Sequence, residues 1–173
     1  MTELETILEA VLFSASRPVT PKKLQKGLPE FTALEIQSAL GHLAEAYGSR
    51  GGAVDIVEVS GGYQIRTRPE YRDWVKRFVK EKDVGLTRAV METLAIVAYR
   101  QPIGKRDIDG LRGVDSIRCV KQLLDRRLIE IAGRNQEPGK PMVFKTTKKF
   151  LETFGLRDVA DLPTIKELEA LEK

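Results

Sequence analysis

Two segments of this chain can be written one above the other without a gap: Val11 to Leu24, VLFSASRPVTPKKL, and Ala95 to Ile108, AIVAYRQPIGKRDI. The offset is 84 residues, and it places Pro102 on Pro18 and Ile108 on Leu24. Carried forward, it sets Val120, Leu123 and Leu124 on Ile36, Ala39 and Leu40. Identities are few, so the correspondence is one of architecture and not of recent duplication. A repeat this long divides the 173 residues into two units of roughly 80 each, a size at which one core only just supports a fold.

The order of elements within each unit follows from local signals. Thr2 and Glu5 have the spacing of a capping box, in which each side chain satisfies a backbone N–H left open at a helix start. Leu4, Ile7, Leu8, Val11 and Leu12 then recur at helical spacing, and Pro18 ends the helix near Ser16-Arg17 by disfavouring helical geometry before it. A short polar helix is predicted from about Thr20 to Gly27. Thr32 and Glu35 repeat the box, and Ile36, Ala39, Leu40, Leu43 and Tyr47 line one face of a third helix. Past Gly51-Gly52, Val54 to Val59 and Tyr63 to Thr67 read as strands joined by a tight turn at Ser60-Gly61-Gly62. Pro69 opens a closing helix that carries Tyr71, Trp74, Val75 and Phe78.

Helix, short helix, helix and β-ribbon in that order is the winged-helix variant of helix-turn-helix. The order then restarts with an apolar helix from Leu86 to Arg100, and Leu128 to Ile131 with Met142 to Thr146 supply a second ribbon. YQIRTRPEY lies on MVFKTTKKF, with Tyr63 on Met142, Ile65 on Phe144, Thr67 on Thr146 and Tyr71 on Phe150. The expected fold class is α+β, mainly α: two tandem winged-helix domains over residues 1–82 and 86–157, with a tail over 158–173. The boundary is placed in the charged stretch Lys80 to Gly85. In the tail Thr164 and Glu167 have a third capping-box spacing, followed by Ile165, Leu168 and Leu171, too few turns for a helix that stands alone.

Composition removes several classes of function. One cysteine, Cys119, and one histidine, His42, leave no disulfide scaffold, no zinc cluster and no Ser-His-Asp or Cys-His pairing, so neither metal nor cofactor is expected. No apolar run approaches the roughly 18 residues of a membrane helix, and Met1-Thr2-Glu3 lacks the basic and then apolar pattern of a signal sequence; no membrane contact and a cytoplasmic address are expected. Residues 1–86 carry 12 basic and 12 acidic groups, so the net charge of +4 comes from the 17 basic and 13 acidic groups of residues 87–173. Mild basicity of this kind suits nucleic acid or an acidic protein partner without distinguishing them.

The third helix of a winged helix often enters the DNA major groove, which needs exposed cationic or amide side chains. In the first copy the outer face offers Glu35, Gln37, Ser38, His42 and Glu45, and it repels DNA. The second offers Arg118, Lys121, Gln122, Arg126 and Arg127 around Asp125, with Arg134 and Lys140 in the wing; a solvated charged face is the commoner explanation. Pro138 and Pro141 around Gly139-Lys140 stiffen the wing tip, as in a preformed docking surface or simply a hairpin loop. No phosphate-cradling glycine pattern is present. Asp107 and Asp109 stand two apart on a short helix and so point to different faces, which suits a charged surface turn better than acid–base work. Tyr71, Trp74 and Phe78 read either as a core edge, the safer choice, or as an oligomer contact.

From Leu86 to Pro163 the chain resembles a known family. ETLAIVAYRQPI, LRGVDS, LLDRRLIEIAGR, PGKPMVF and FLETFGL, in that order over nearly 80 residues, are similar to the signature region of segregation and condensation protein B. That family supplies the tandem winged-helix subunit of bacterial condensin. ILEAVLFSASRPVTPKKL and GGYQIRTRPEY agree in pattern, so the resemblance covers essentially the whole chain. Gly104 departs from it, standing where the family usually has a polar residue, often Thr; Ile117 and Arg118 replace commonly small or polar positions.

The resemblance implies a non-enzymatic accessory subunit of the SMC–kleisin complex, acting in chromosome condensation and segregation at cell division and found with the nucleoid. It implies a homodimer formed largely by the N-terminal domain. It implies a grip on the kleisin subunit, segregation and condensation protein A, which bridges the SMC ATPase, and only weak or indirect contact with DNA. The expected kleisin-facing residues are Tyr99, Arg100, Gln101, Pro102, Arg112, Gly113, Ser116, Gly139, Lys140 and Pro141; those expected at the dimer contact are Leu4, Leu8, Tyr71, Trp74 and Phe78. The alternative is a tandem winged-helix transcription regulator reading DNA through Arg118 and Lys121.

Overall fold

The computed structural model describes residues 1–79, 85–136, 139–164 and Glu167. The first unit contains α1 (Glu3–Ser14), α2 (Pro21–Gly27), α3 (Ala33–Ser49), β1 (Val54–Val59), β2 (Gly62–Thr67) and α4 (Arg72–Phe78). The second contains α5 (Arg88–Arg100), β3 (Ile103–Gly104), α6 (Lys105–Arg112), α7 (Ile117–Asp125), β4 (Ile129–Arg134), β5 (Met142–Thr146) and α8 (Lys148–Phe154). Short 3-10 turns at Pro69–Tyr71 and Val159–Asp161 precede α4 and follow α8. The division into compact units falls at Met1–Lys82 and Asp83–Lys173. Residues 80–84 of the expected boundary lie outside the described residues, as do Pro138 at the wing tip and the apolar tail positions Ile165, Leu168 and Leu171.

Threonine starts most of these helices. Thr2, Thr20, Thr32, Thr87 and Thr147 are the N-caps of α1, α2, α3, α5 and α8, and each hydroxyl accepts from the backbone N–H three residues on. Such a cap contributes about 1 kcal/mol. At Thr2 and Thr32 the reciprocal bond is also made, with Glu5 and Glu35 each accepting a backbone N–H at 2.7 Å. The helix after Thr2 ends at Ser14, two residues before the position expected from Pro18.

Elements start in register with the repeat. Adding 84 to the first residues of α2 and α3 gives Lys105 and Ile117, where α6 and α7 begin. The same shift carries Val19, which pairs antiparallel with Tyr63, onto Ile103, which pairs with Phe144. Tyr63 therefore corresponds to Phe144 and not to Met142. The strand alignment read from the sequence is two residues out, because α3 is 17 residues long and α7 only 9, and the wing loops differ again.

In the first unit β1 and β2 form a two-stranded ribbon from Val54↔Thr67 to Val59↔Gly62. The turn residues Ser60 and Gly61 both adopt positive φ, 54° and 68°. Gly62 is needed for a different reason: a Cβ there would lie 2.9 Å from the Val19 carbonyl carbon, where the N-terminal segment crosses β2. The core collects Leu8 and Leu12 of α1, Leu24 of α2, and Ile36, Leu40 and Leu43 of α3. In the second unit the sheet order is β3-β5-β4, with a bulge in β4 between Ile131 and Gly133. Leu94 and Val97 of α5 meet Ile108, Leu123, Phe144 and Phe150 in its core.

Candidate partner-binding surfaces

The two residues of α1 expected at a dimer contact are not available for it. Leu4 and Leu8 are buried in the core of their own unit, because the stripe at spacing four faces α3. Tyr71, Trp74 and Phe78, read as a core edge or as an oligomer contact, are exposed, which does not fit the core edge. No residue of α4 is buried; Trp74 is 61% exposed and Phe78 87%. Arg77 lies over the Trp74 ring at 4.3 Å, covering one face of it, and Val79 continues the apolar surface.

In the second unit the expected kleisin-facing residues separate into two groups. Arg112, Ser116 and Gln101 hold the unit together. The Arg112 side chain is only 6% exposed; its Nε donates to Glu92 at 3.3 Å and Nη1 lies 3.7 Å from the Cys119 sulfur. Ser116 is fully buried, and its hydroxyl and backbone N–H donate to Asp109 Oδ1 at 2.5 and 2.8 Å. Gln101 Oε1 accepts from the Thr146 N–H at 2.6 Å and from its hydroxyl at 2.8 Å, tying the end of α5 to β5. Their polar side-chain atoms are engaged within the unit.

Asp109 is the hub of this arrangement. Besides the two bonds from Ser116 it accepts from Lys105 Nζ at 2.6 Å, and Lys105 also reaches Asp115 at 2.5 Å. The ammonium first, and then the two Ser116 donors, hold the Asp109 carboxyl down to about 2, and the two acids raise Lys105. The network fixes the turn between α6 and α7, where Gly113 takes the left-handed conformation that ends α6.

Tyr99, Arg100, Pro102, Gly113, Gly139, Lys140 and Pro141 are exposed. Of these only Pro141 enters the groove that runs between α6, the start of α7 and β5, about 420 Å³ in volume and lined also by Lys105, Arg106, Ile117 and Met142. Tyr99 donates its hydroxyl to the Pro163 carbonyl at 2.7 Å, away from that lining. The residues that sequence reasoning missed are apolar: Leu111, Val114, Ile117 and Met142 all face solvent, and Ile117 and Met142 line the groove. A signal was present, since Ile108, Leu111, Val114 and Ile117 recur every third residue and only the first is buried.

Among the described residues no group of three or more His, Cys, Asp or Glu is placed to hold a metal ion, and no helix is long and apolar enough to cross a membrane. His42 lies on the surface with Nδ1 3.4 Å from Glu5. On α7, Arg118 and Lys121 are exposed, whereas Arg126 turns back to donate to the Gly85 carbonyl at 3.3 Å.

Comparison with known proteins agrees with the resemblance read from the motifs. Segregation and condensation protein B of Syntrophotalea carbinolica is 45% identical over 171 residues, spanning 99% of this chain and 86% of that protein. The crystal structure of ScpB from Mycobacterium tuberculosis aligns with 89% of this chain and 96% of its own, at 33% identity and a TM-score of 0.42. A crystal structure of a dimer of the ScpB N-terminal domain complexed with ScpA peptide aligns with 43% of this chain and 93% of its own, at 24% identity and a TM-score of 0.40. The family model described as segregation and condensation complex subunit ScpB matches residues 6–165. The chain belongs to the ScpB family of segregation and condensation complex subunits.

Proposed function

We propose that the protein is a non-catalytic adaptor of the SMC–kleisin condensin complex, cytoplasmic and associated with the nucleoid. It self-associates through the first unit and grips the kleisin, ScpA, with the second. ATP hydrolysis belongs to the SMC partner, which it reaches through the kleisin. The observation that carries the grip is the groove between α6, α7 and β5. Its apolar rim, Ile117 and Met142, is left exposed by its own unit, and its walls are fixed by the Asp109 network. A preformed apolar groove binds a chain segment at low ordering cost. Tyr99, Arg100, Pro102, Gly113, Gly139 and Lys140 are proposed to frame that side of the unit. The self-association rests on Trp74 and Phe78, which stay largely exposed although Arg77 covers one face of the Trp74 ring.

Co-purification with the kleisin of the same genome, followed by mass measurement of the complex, tests the reading. Two copies of this chain per kleisin-containing particle are expected. Ile117→Asp with Met142→Asp is expected to abolish kleisin capture while leaving self-association intact; undiminished capture would refute the placement. Tight binding to one defined DNA duplex through Arg118 and Lys121, with no kleisin captured, would establish the regulator reading instead.

A further inference from the structure

A second groove of about 780 Å³ opens in the second unit where the end of α7 meets the wing and α8. It shares no lining residue with the groove assigned to the kleisin, so either reading survives the failure of the other. Its floor is apolar, formed in part by Ile129, Ile131 and Leu151, and Ile131 is left 50% exposed. Four cations line it, Arg127, Lys145, Lys148 and Lys149, against the single carboxylate of Glu130. Glu130 is already matched to Lys145 at 3.3 Å, so the other three cations have no ion-pair partner among the described residues.

One wall of the groove is β4, an edge strand whose only neighbour among the described residues is β5. Along β4 the side chains alternate. Ile129 and Ile131 share one face of the wing, and Glu130 shares the other with its cross-strand partner Lys145. The bulge between Ile131 and Gly133 bends the strand and shifts its register before pairing resumes at Gly133↔Val143, so the regular open edge beside the groove is the short stretch Ile129 to Ile131. An apolar floor does nothing for a phosphate backbone, whereas a peptide with apolar and acidic side chains in alternation satisfies the floor, the cations and the open backbone edge together.

We propose that this groove takes a short extended segment of a partner polypeptide, alternately acidic and apolar, added along the open edge of β4 and held by Arg127, Lys148 and Lys149. The probe is a fluorescein-labelled octapeptide of alternating glutamate and valine, titrated with the full chain and followed by anisotropy at physiological salt. Saturable micromolar binding is expected. It should weaken about tenfold or more in Lys148→Glu/Lys149→Glu, and separately in Ile131→Asp, and be absent for the lysine–valine counterpart. The double reversal puts acids in the first turn of α8, where the helix dipole favours them, so the fold is expected to persist by circular dichroism. Equal binding by the variants would overturn the proposal. So would peptide binding confined to the chain truncated after Pro163, which would assign the groove to the chain's own end. Binding of a labelled duplex DNA, but not of the peptide, lost on the same substitutions, would assign it to nucleic acid.

Discussion

After the wing of the first unit α4 buries nothing, while after the wing of the second α8 buries Phe150 and leans Phe154 on it, ring centroids 4.9 Å apart. Both helices have seven residues and both carry aromatics at helical spacing. One helix therefore closes its own unit, and the other presents Trp74 and Phe78 outward. Full burial of such a side chain contributes about 1.5–3 kcal/mol, and a two-fold interface counts each of them twice. The difference teaches that an identical local pattern serves either an interior or a partner, according to whether the unit's own helices already fill the space beneath it.

The sharpest way to break this contrast is Phe78→Asp. If α4 is a contact between copies, the substitution should raise the dimer dissociation constant by about a hundredfold or more, a shift typical of an aromatic anchor replaced by an unpaired charge. Sedimentation equilibrium over a dilution series reads it directly. Phe154→Asp in the second unit should leave self-association unchanged. A dimer indifferent to Phe78→Asp would remove α4 from the interface.

The crossing of the N-terminal segment over the wing offers the next comparison. In the first unit Val19 pairs with Tyr63 and the neighbouring wing residue is Gly62; in the second, Ile103 pairs with Phe144, Gly104 faces Val143, and the glycine has moved to the other strand. A Cβ on Gly62 would meet the Val19 backbone at 2.9 Å, and backbone cannot step aside cheaply. Gly62→Ala is therefore expected to destabilise the first unit by about 2 kcal/mol, within the range for overpacking. Fluorescence of Trp74, the single tryptophan of the chain, followed through urea unfolding, measures it.

These contrasts also show what sequence carries and what it does not. The capping boxes at Thr2 and Thr32, the apolar stripes and the 84-residue offset were legible because they are local or periodic, and the offset carries the starts of α2 and α3 onto those of α6 and α7. The strand alignment slipped by two because loop length and helix length leave no periodic trace. Among the candidate contacts, Arg112 and Ser116 were expected to face the kleisin. Their burial depends on Glu92, Cys119 and Asp109, which are brought to them by tertiary packing. Trp74 and Phe78 were legible as aromatic, but helical spacing is silent on whose core they fill.

The Asp109 network belongs to the second unit alone, since the corresponding position in α2 is Gln25. Its carboxyl titrates at about 2 in the folded protein, below the ordinary 3.8. A depressed carboxyl stabilises the fold at pH above its unfolded value, and that contribution is lost as pH falls from about 4 through about 2. The second unit should therefore lose protection at low pH through this site, and Asp109→Asn should remove that part of the acid sensitivity. At neutral pH the substitution is expected to cost about 1 kcal/mol, the worth of a charge-assisted bond replaced by a neutral one. Hydrogen exchange resolved by unit separates this loss from any change in the first.

The smallest expected effect tests the repeat at one atom. Thr20 caps α2 through its hydroxyl, and the residue 84 further on, Gly104, caps α6 with no side chain to offer. A Cβ at Gly104 would lie 3.3 Å from Oδ2 of Asp107, the far end of a side chain that can turn, and 3.8 Å from the Met142 carbonyl oxygen. Its backbone, at φ −83° and ψ 157°, already suits a serine. Gly104→Ser should stabilise the second unit by a few tenths of a kcal/mol, because glycine is itself a tolerable N-cap and only the hydroxyl bond is gained. Gly104→Ala, which adds the Cβ without the hydroxyl, should show no gain. If both substitutions destabilise the unit equally in urea, the crossing at β3 is as crowded as the one at Gly62, and the two units share a tighter frame than their different glycines suggest.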